Sequence, residues 1–219
     1  MAAGICGVDD GDQGEERALT SDLFAALILF AVVGSFTPGP NNTMLMASGA
    51  NFGLARSLPH MTGVSVGFAG MLLGTGFGLG GLFALWPPLQ AVLQVGGAAY
   101  LLYLAWKLAT SEGLGGPAAG AAPQTFWQAA AFQWINPKAW TMALSAFSTY
   151  APKHDFTSAV LVIVAVFTVV NVPCLLVWTG FGVGVRRFLD RPAVLRGFNV
   201  TMAVLLAASL YPLAAAWLK

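Results

Sequence analysis

The chain has 219 residues, a formal net charge of +1, 57% hydrophobic residues and only 9% charged ones. A soluble domain carries roughly 25% charged residues to solvate its surface, so this composition argues against one. No basic stretch is interleaved with aromatics, which leaves nucleic acid without a binding strip.

The chain opens on an acidic stretch, with Asp9, Asp10, Asp12, Glu15, Glu16 and Asp22 set against a single base, Arg17. A secretory leader would start basic and turn apolar, so residues 1–20 read as a disordered acidic tail or an extension from an upstream start. Six apolar runs follow, at about 23–50, 58–86, 89–109, 126–150, 156–185 and 198–218. Each is long enough to cross a hydrocarbon core of roughly 30 Å as a helix. Only helices and closed barrels satisfy their own backbone in lipid, and continuous apolar runs mean helices. The expected fold is an all-α membrane protein of six transmembrane helices, embedded in the lipid bilayer.

The first run carries Thr37-Pro38-Gly39-Pro40-Asn41-Asn42 about 15 residues in, roughly 23 Å along a helix. Proline removes donors and glycine permits a bend, so carbonyls are freed at depth. Such groups must be buried in protein or face a wet cavity. Asn41 and Asn42 stand where a second half-helix would begin, whose unpaired N–H groups make a positive pole suited to a carboxylate. A packing kink with the asparagines bridging helices would use the same residues; the pair of asparagines favours a cavity lining. His60 opens the second run beside Pro59. It is the side chain best suited to titrate near neutral pH, although an interfacial histidine would look the same. Gly63, Gly67, Gly70, Gly74 and Gly78 recur there at three- and four-residue spacing, a small-residue face for close helix approach. Trp86-Pro87-Pro88 reads as a tight turn, Tyr100, Tyr103 and Trp106 as interfacial aromatics, and 110–125 as a flexible Gly-, Ala- and Pro-rich loop.

Ile135-Asn136-Pro137-Lys138 interrupts the fourth run, and Lys138 lies about 12 residues in, roughly 18 Å from its start. A basic group at that depth costs at least about 2.5–3.5 kcal/mol, so it marks a functional site facing the bundle interior. A span beginning later would let its stem snorkel instead. Within the site its ammonium would pair with a substrate carboxylate, a backbone carbonyl or the span-one break. Asn171-Val172-Pro173 puts a further break in the fifth run, with Asn171 serving as helix–helix glue or cavity lining. His154, beside Asp155, reads as surface.

Orientation follows from the Lys and Arg beside the runs. One side holds Arg17, Lys153 and Lys219; the other holds Arg56, Lys107, Arg186, Arg187, Arg191 and Arg196. The larger group belongs in the cytoplasm, leaving both termini outside. An internal repeat is also legible. Thr75-Gly76-Phe77-Gly78 in the second run reappears as Thr179-Gly180-Phe181-Gly182 in the fifth, and proline–asparagine breaks mark the first and fourth. Three spans per half invert the second half, giving a 3+3 inverted repeat with repeat one at 21–109, a loop at 110–125 and repeat two at 126–219. Chance recurrence in glycine-rich spans is the rival explanation. Past Leu23 the acids are Glu112, Asp155 and Asp190, all between runs, which disfavours a metal-cation exporter and intramembrane hydrolases. Cys6 and Cys174 form no CxxC or ligand spacing, so no metal site or cofactor is expected.

These motifs resemble the LysE/RhtB family of bacterial amino-acid exporters. The resemblance rests on Gly34-Ser35-Phe36-Thr37-Pro38-Gly39-Pro40-Asn41-Asn42, on Gly49 to Arg56, on Leu58-Pro59-His60 with Gly63-Val64 and Gly67-Phe68, on Gly97 to Lys107, and on Phe132-Gln133-Trp134-Ile135-Asn136-Pro137-Lys138-Ala139-Trp140. It covers about 21–219 and implies export of amino acids or their derivatives, coupled to the proton gradient. The expected function is therefore a secondary active transporter of the inner membrane, not an enzyme, working on a small-molecule amino-acid substrate by alternating access. Thr37, Pro38, Gly39, Pro40, Asn41, Asn42, Asn136, Pro137, Lys138 and Asn171 are the candidate substrate-binding residues, and His60 and Lys138 the candidates for proton coupling. Association into a homo-oligomer is left open. The alternatives are a six-span channel and a thiol or electron relay; the relay would need partners that Cys174 lacks in the apolar runs.

Overall fold

The computed structural model describes residues 21–79, 81, 85–111, 122–151, 156–189 and 191–217. The acidic tail, most of the 110–125 loop and His154 lie outside them. Among the described residues every regular element is a helix: α1 (Ser21–Phe36), α2 (Pro40–Phe52), α3 (Leu54–Gly74), α4 (Pro87–Ala109), α5 (Phe126–Gln133), α6 (Pro137–Tyr150), α7 (Phe156–Arg186), α8 (Pro192–Ala208) and α9 (Tyr211–Trp217).

Among the described residues four segments are long and apolar enough to cross a membrane: Leu54–Gly78, Ala91–Ala109, Phe156–Arg186 and Pro192–Ala215. Together α1 and α2 make a fifth, bent by 52° at the break between them. The run 126–150 divides into α5 and α6 around Trp134–Asn136, and both pieces are short. The described residues therefore carry four to five candidate spans where the apolar runs number six.

Proline opens α2, α4, α6 and α8, at Pro40, Pro87, Pro137 and Pro192. The first helical position has no intrahelical partner for its N–H, so proline loses nothing there. This corrects the reading of Trp86-Pro87-Pro88 as a tight turn: Pro87 is the first residue of α4. Pro173 departs from expectation in the opposite sense. Helix α7 runs through it for 31 residues without a break. One proline removes one donor, and Phe167, Asn171, Cys174 and Leu175, all buried, hold the turns on either side against the bundle.

The repeated Thr-Gly-Phe-Gly segments share one local contact and then diverge. Thr75 Oγ1 donates to the Met71 carbonyl at 2.8 Å, and Thr179 Oγ1 to the Leu175 carbonyl at 2.7 Å. Regular α-helix ends at Gly74, beyond which Phe77 and Gly78 turn out of it and Gly78 reaches φ 137. The second copy stays within α7.

Helix α2 packs on α7, α3 on α5 and α7, and α4 on α8. Two crossings depend on missing side chains. A Cβ on Gly49 would strike the Thr179 carbonyl and one on Gly182 the Met46 carbonyl, so α2 and α7 touch backbone to backbone. Gly63 and Gly67 do the same for α3 against Phe126 and Ala130 of α5. Such contacts supply the packing that drives helix association in lipid. Around them Leu27, Phe68, Met71, Trp140 and Phe167 form one core cluster, and Met44, Leu101, Phe132 and Leu206 another.

Candidate functional site

The two breaks lie against each other, and the groups that the helix ends leave unpaired are met by side chains from both halves of the chain. At the α1 end, the Ser35 carbonyl accepts from Asn42 Nδ2 at 2.7 Å and from the Cys174 thiol at 3.0 Å. The Thr37 carbonyl accepts from Asn42 Nδ2 at 3.0 Å and from the Lys138 ammonium at 2.6 Å. A cation on a helix C-terminus is favoured by the dipole as well as by the hydrogen bond. On the far side of the break, α2 starts at Pro40 with no side-chain cap, its N-cap being Gly39.

In the second break Asn136 caps α6, its Oδ1 accepting from the Lys138 N–H at 3.1 Å, with Pro137 at the first helical position. Asparagine at an N-cap followed by proline is the residue pair that helix-start chemistry favours. The Trp134 carbonyl, left open where α5 stops, accepts from Trp140 Nε1 at 2.7 Å. Asn41 reaches across to Gln133. Its Nδ2 donates to Gln133 Oε1 at 2.8 Å, and Gln133 Nε2 returns a bond to Asn41 Oδ1 at 3.1 Å.

A cavity of about 570 Å³ opens beside this cross-bracing. Thr37, Pro38, Gly39, Pro40, Pro137 and Lys138 all line it, with Leu93, Ile135, Trp140 and Leu144 supplying apolar wall. Asn41, Asn42, Asn136 and Asn171 line a smaller recess of about 30 Å³, which shares Gly39, Pro40 and Lys138 with the larger one. The ten residues expected to bind substrate thus occupy one neighbourhood. His60 stands apart from it. It is buried in α3, 2% exposed, and lines a third cavity of about 120 Å³. The two coupling candidates, His60 and Lys138, are therefore in different chambers.

Gln133 and Ser35 belong to the site and carry no obvious mark in the sequence. Gln133 is fully buried, three residues ahead of the Asn136-Pro137 break. Ser35 lines the recess, with a buried hydroxyl that finds no partner among the described residues. Cys174 enters as a hydrogen-bond donor to the α1 terminus. Among the described residues no group of three or more His, Cys, Asp or Glu is placed to hold a metal ion.

Residues 32–209 match the family described as LysE type translocator, a range that takes in both breaks, Lys138 and all of α7. Among curated proteins the chain is similar to the cysteine/O-acetylserine efflux protein of Klebsiella pneumoniae subsp. pneumoniae. The two are 35% identical over 135 residues, covering 60% of this chain and 67% of that protein. The protein of the same name from Escherichia coli K12 is 34% identical over 137 residues, with the same shares covered. No solved structure matches the chain. The family is one of transporters and not of enzymes, and its match extends over most of the helices described above. The chain belongs to the LysE type translocator family.

Proposed function

We infer that this protein is a secondary active transporter that exports amino acids or their derivatives across the bacterial inner membrane by alternating access. The relatives named for cysteine and O-acetylserine efflux support the substrate class. The observation that carries the site is Lys138, its ammonium held by the Thr37 carbonyl on the wall of the 570 Å³ cavity. The apolar runs contain no carboxylate. A substrate carboxylate is then the strongest partner available to that ammonium, and it would displace a neutral carbonyl. The uncapped start of α2, behind Thr37, Pro38, Gly39 and Pro40, offers N–H groups to the second carboxylate oxygen. Asn136 and Pro137 fix Lys138 on α6, while Asn41, Asn42 and Asn171 shape the recess beneath it.

Several of the helix crossings fit a 3+3 inverted repeat. Exchanging residues 21–109 with 126–219 carries α1–α2 onto α5–α6, α3 onto α7 and α4 onto α8. The α1–α7 crossing then maps onto the α5–α3 crossing, and α2–α3 onto α6–α7. The pairs α3–α7 and α4–α8 map onto themselves. In this scheme α5 and α6 form the sixth crossing, broken like α1–α2, and substrate sits where the breaks meet. Rocking of one half on the other exposes the cavity to each side in turn. Arg56, Lys107 and the Arg186–Arg196 segment mark the cytoplasmic side, with both termini outside. Lys138, or His60 in its separate chamber, carries the proton.

Purified protein in liposomes loaded with O-acetyl-L-serine or L-cysteine tests the reading. Saturable counterflow, accelerated by an inward proton gradient, is the expected result. Release that never saturates indicates a channel. No release of either compound, or of any of the twenty amino acids, rejects export.

A further inference from the structure

The cavity at Lys138 is larger and more apolar than its polar end requires. Its volume, about 570 Å³, falls within the roughly 300–1,000 Å³ of pockets that enclose drug-sized ligands. Among the described residues Lys138 is the one charged side chain that lines it. Gln94, Thr141, Ser209 and Tyr211 add uncharged polar groups. Two of these hydroxyls spend their protons on helix carbonyls, Thr141 on Pro137 at 3.0 Å and Ser209 on Leu206 at 2.6 Å.

The apolar wall belongs to the interior of the bundle. Trp140 is buried, and Leu93, Ile135 and Leu144 are half-buried. Trp140 and Leu93 also pack in the core cluster of Phe68 and Phe167, and Ile135 against that of Leu101 and Phe132. The single N–H of Trp140 is held by the Trp134 carbonyl at 2.7 Å, so its indole offers the cavity hydrocarbon. Lys138, Thr141 and Leu144 line the cavity at three-residue spacing on α6, which extends it about 9 Å along that helix from the level of Lys138.

The polar end fixes which part of a ligand sits there. The Thr37 carbonyl accepts from Lys138 at 2.6 Å and from Asn42 at 3.0 Å. A carboxylate that takes the Lys138 ammonium vacates one of the two lone pairs of that oxygen, which can then accept from the α-ammonium of the same molecule. With both charges held at the break, the side chain is left to the apolar wall. A cationic side chain would meet no acid there and a second carboxylate no second cation, and a buried charge without a partner is costly. A short side chain leaves the wall without contacts. In an apolar pocket each methylene accommodated is worth about 10–200-fold in selectivity.

We propose that this cavity selects α-amino acids with a bulky, uncharged, apolar side chain, of the size of leucine to phenylalanine, over small and over charged ones. That the solute is an exported amino acid rests on the function inferred above; the preference for its side chain is read from this cavity. The relatives are named for two compounds with short side chains, so the preference is this chain's own.

The test uses full-length protein in liposomes loaded with L-phenylalanine, reduced L-cysteine, L-lysine or L-glutamate, with initial efflux measured against protein-free liposomes. The kcat/KM for L-phenylalanine should exceed that for L-cysteine at least tenfold, with L-lysine and L-glutamate at the protein-free rate. Ala208 is exposed and lines the cavity, so a larger side chain there fills the cavity and not the core. Ala208→Phe should lower the phenylalanine-to-cysteine ratio at least fivefold, whereas a loss of folded protein lowers both alike. Cysteine carried as well as phenylalanine, lysine or glutamate efflux that matches it, or a ratio unmoved by Ala208→Phe would overturn the selectivity while leaving export in place. Binding is read separately with tritiated L-phenylalanine and protein in lipid nanodiscs. Unlabelled L-phenylalanine should displace the label at least tenfold better than L-cysteine, and Lys138→Met should abolish binding. Binding in that order without efflux keeps the selective cavity and rejects export; no binding, or equal displacement by L-cysteine, rejects the selective cavity.

Discussion

Two glycines one turn apart on α3 should respond oppositely to the same substitution. A Cβ added at Gly67 would fall 2.5 Å from Ala130 Cα and 2.6 Å from its carbonyl oxygen, whereas one at Gly70 meets nothing within 4 Å. Ordinary contact begins near 3.4 Å, so Gly67→Ala must move α3 and α5 apart by about 0.9 Å. Because the obstacle is backbone, no side-chain rotation relieves it. Overpacking of this kind costs about 1–3 kcal/mol. Both substitutions share the helix-propensity gain of about 0.8–1 kcal/mol. The difference between them therefore isolates the crossing, at about 1–3 kcal/mol. For a chain of this length that is a gap in unfolding midpoint on the order of 2–12 °C. Thermal unfolding in a mild detergent, followed by tryptophan fluorescence, measures it. Midpoints for Gly67→Ala and Gly70→Ala that agree within about 1 °C would refute the close α3–α5 contact.

Two further outcomes follow from the breaks. At Gly39 an added Cβ would lie 2.7 Å from Lys138 Cδ and 3.0 Å from Nζ, an obstacle that a flexible side chain can evade. Gly39→Ala should change stability by less than about 1 kcal/mol and lower efflux roughly tenfold by displacing the ammonium that binding depends on; unchanged efflux from loaded liposomes would separate Lys138 from the site. In a double-mutant cycle, Asn41→Ala and Gln133→Ala should show a coupling of about 0.6–1.7 kcal/mol, the range measured for interhelical hydrogen bonds in membranes, and additive effects would deny the reciprocal amide pair.

The breaks could be read from the sequence because proline chemistry is local: Pro38, Pro40 and Pro137 free carbonyls or open helices whatever surrounds them. The same rule misled at Pro173, where tertiary contacts carry α7 past a proline, and at Pro87, where a turn was expected and a helix starts. Lys138 announced itself through the cost of a charge at depth. Gln133 did not, since an uncharged amide in an apolar run gives no local hint of a partner 92 residues earlier. His60 was noticed for its chemistry, yet its depth along a helix says nothing of which side of that helix is buried. Pairing of the glycine faces was equally hidden: spacing reveals a small-residue stripe, and only packing reveals which backbone it meets. The division of 126–150 into α5 and α6 follows the Asn-Pro signal, while its length as a single apolar run concealed how short each piece is.

The account turns on Lys138 as the group that meets substrate, and Lys138→Met tests it most directly. Methionine keeps much of the length and apolar stem. Losing the bond to Thr37 costs about 1.5–3 kcal/mol, and removing a charge from the bilayer interior returns about 2.5–3.5 kcal/mol. The variant should therefore unfold at or slightly above the wild-type midpoint while its efflux of O-acetyl-L-serine from loaded liposomes falls by more than tenfold. Efflux within twofold of wild type, from a protein equally well folded, would contradict the account.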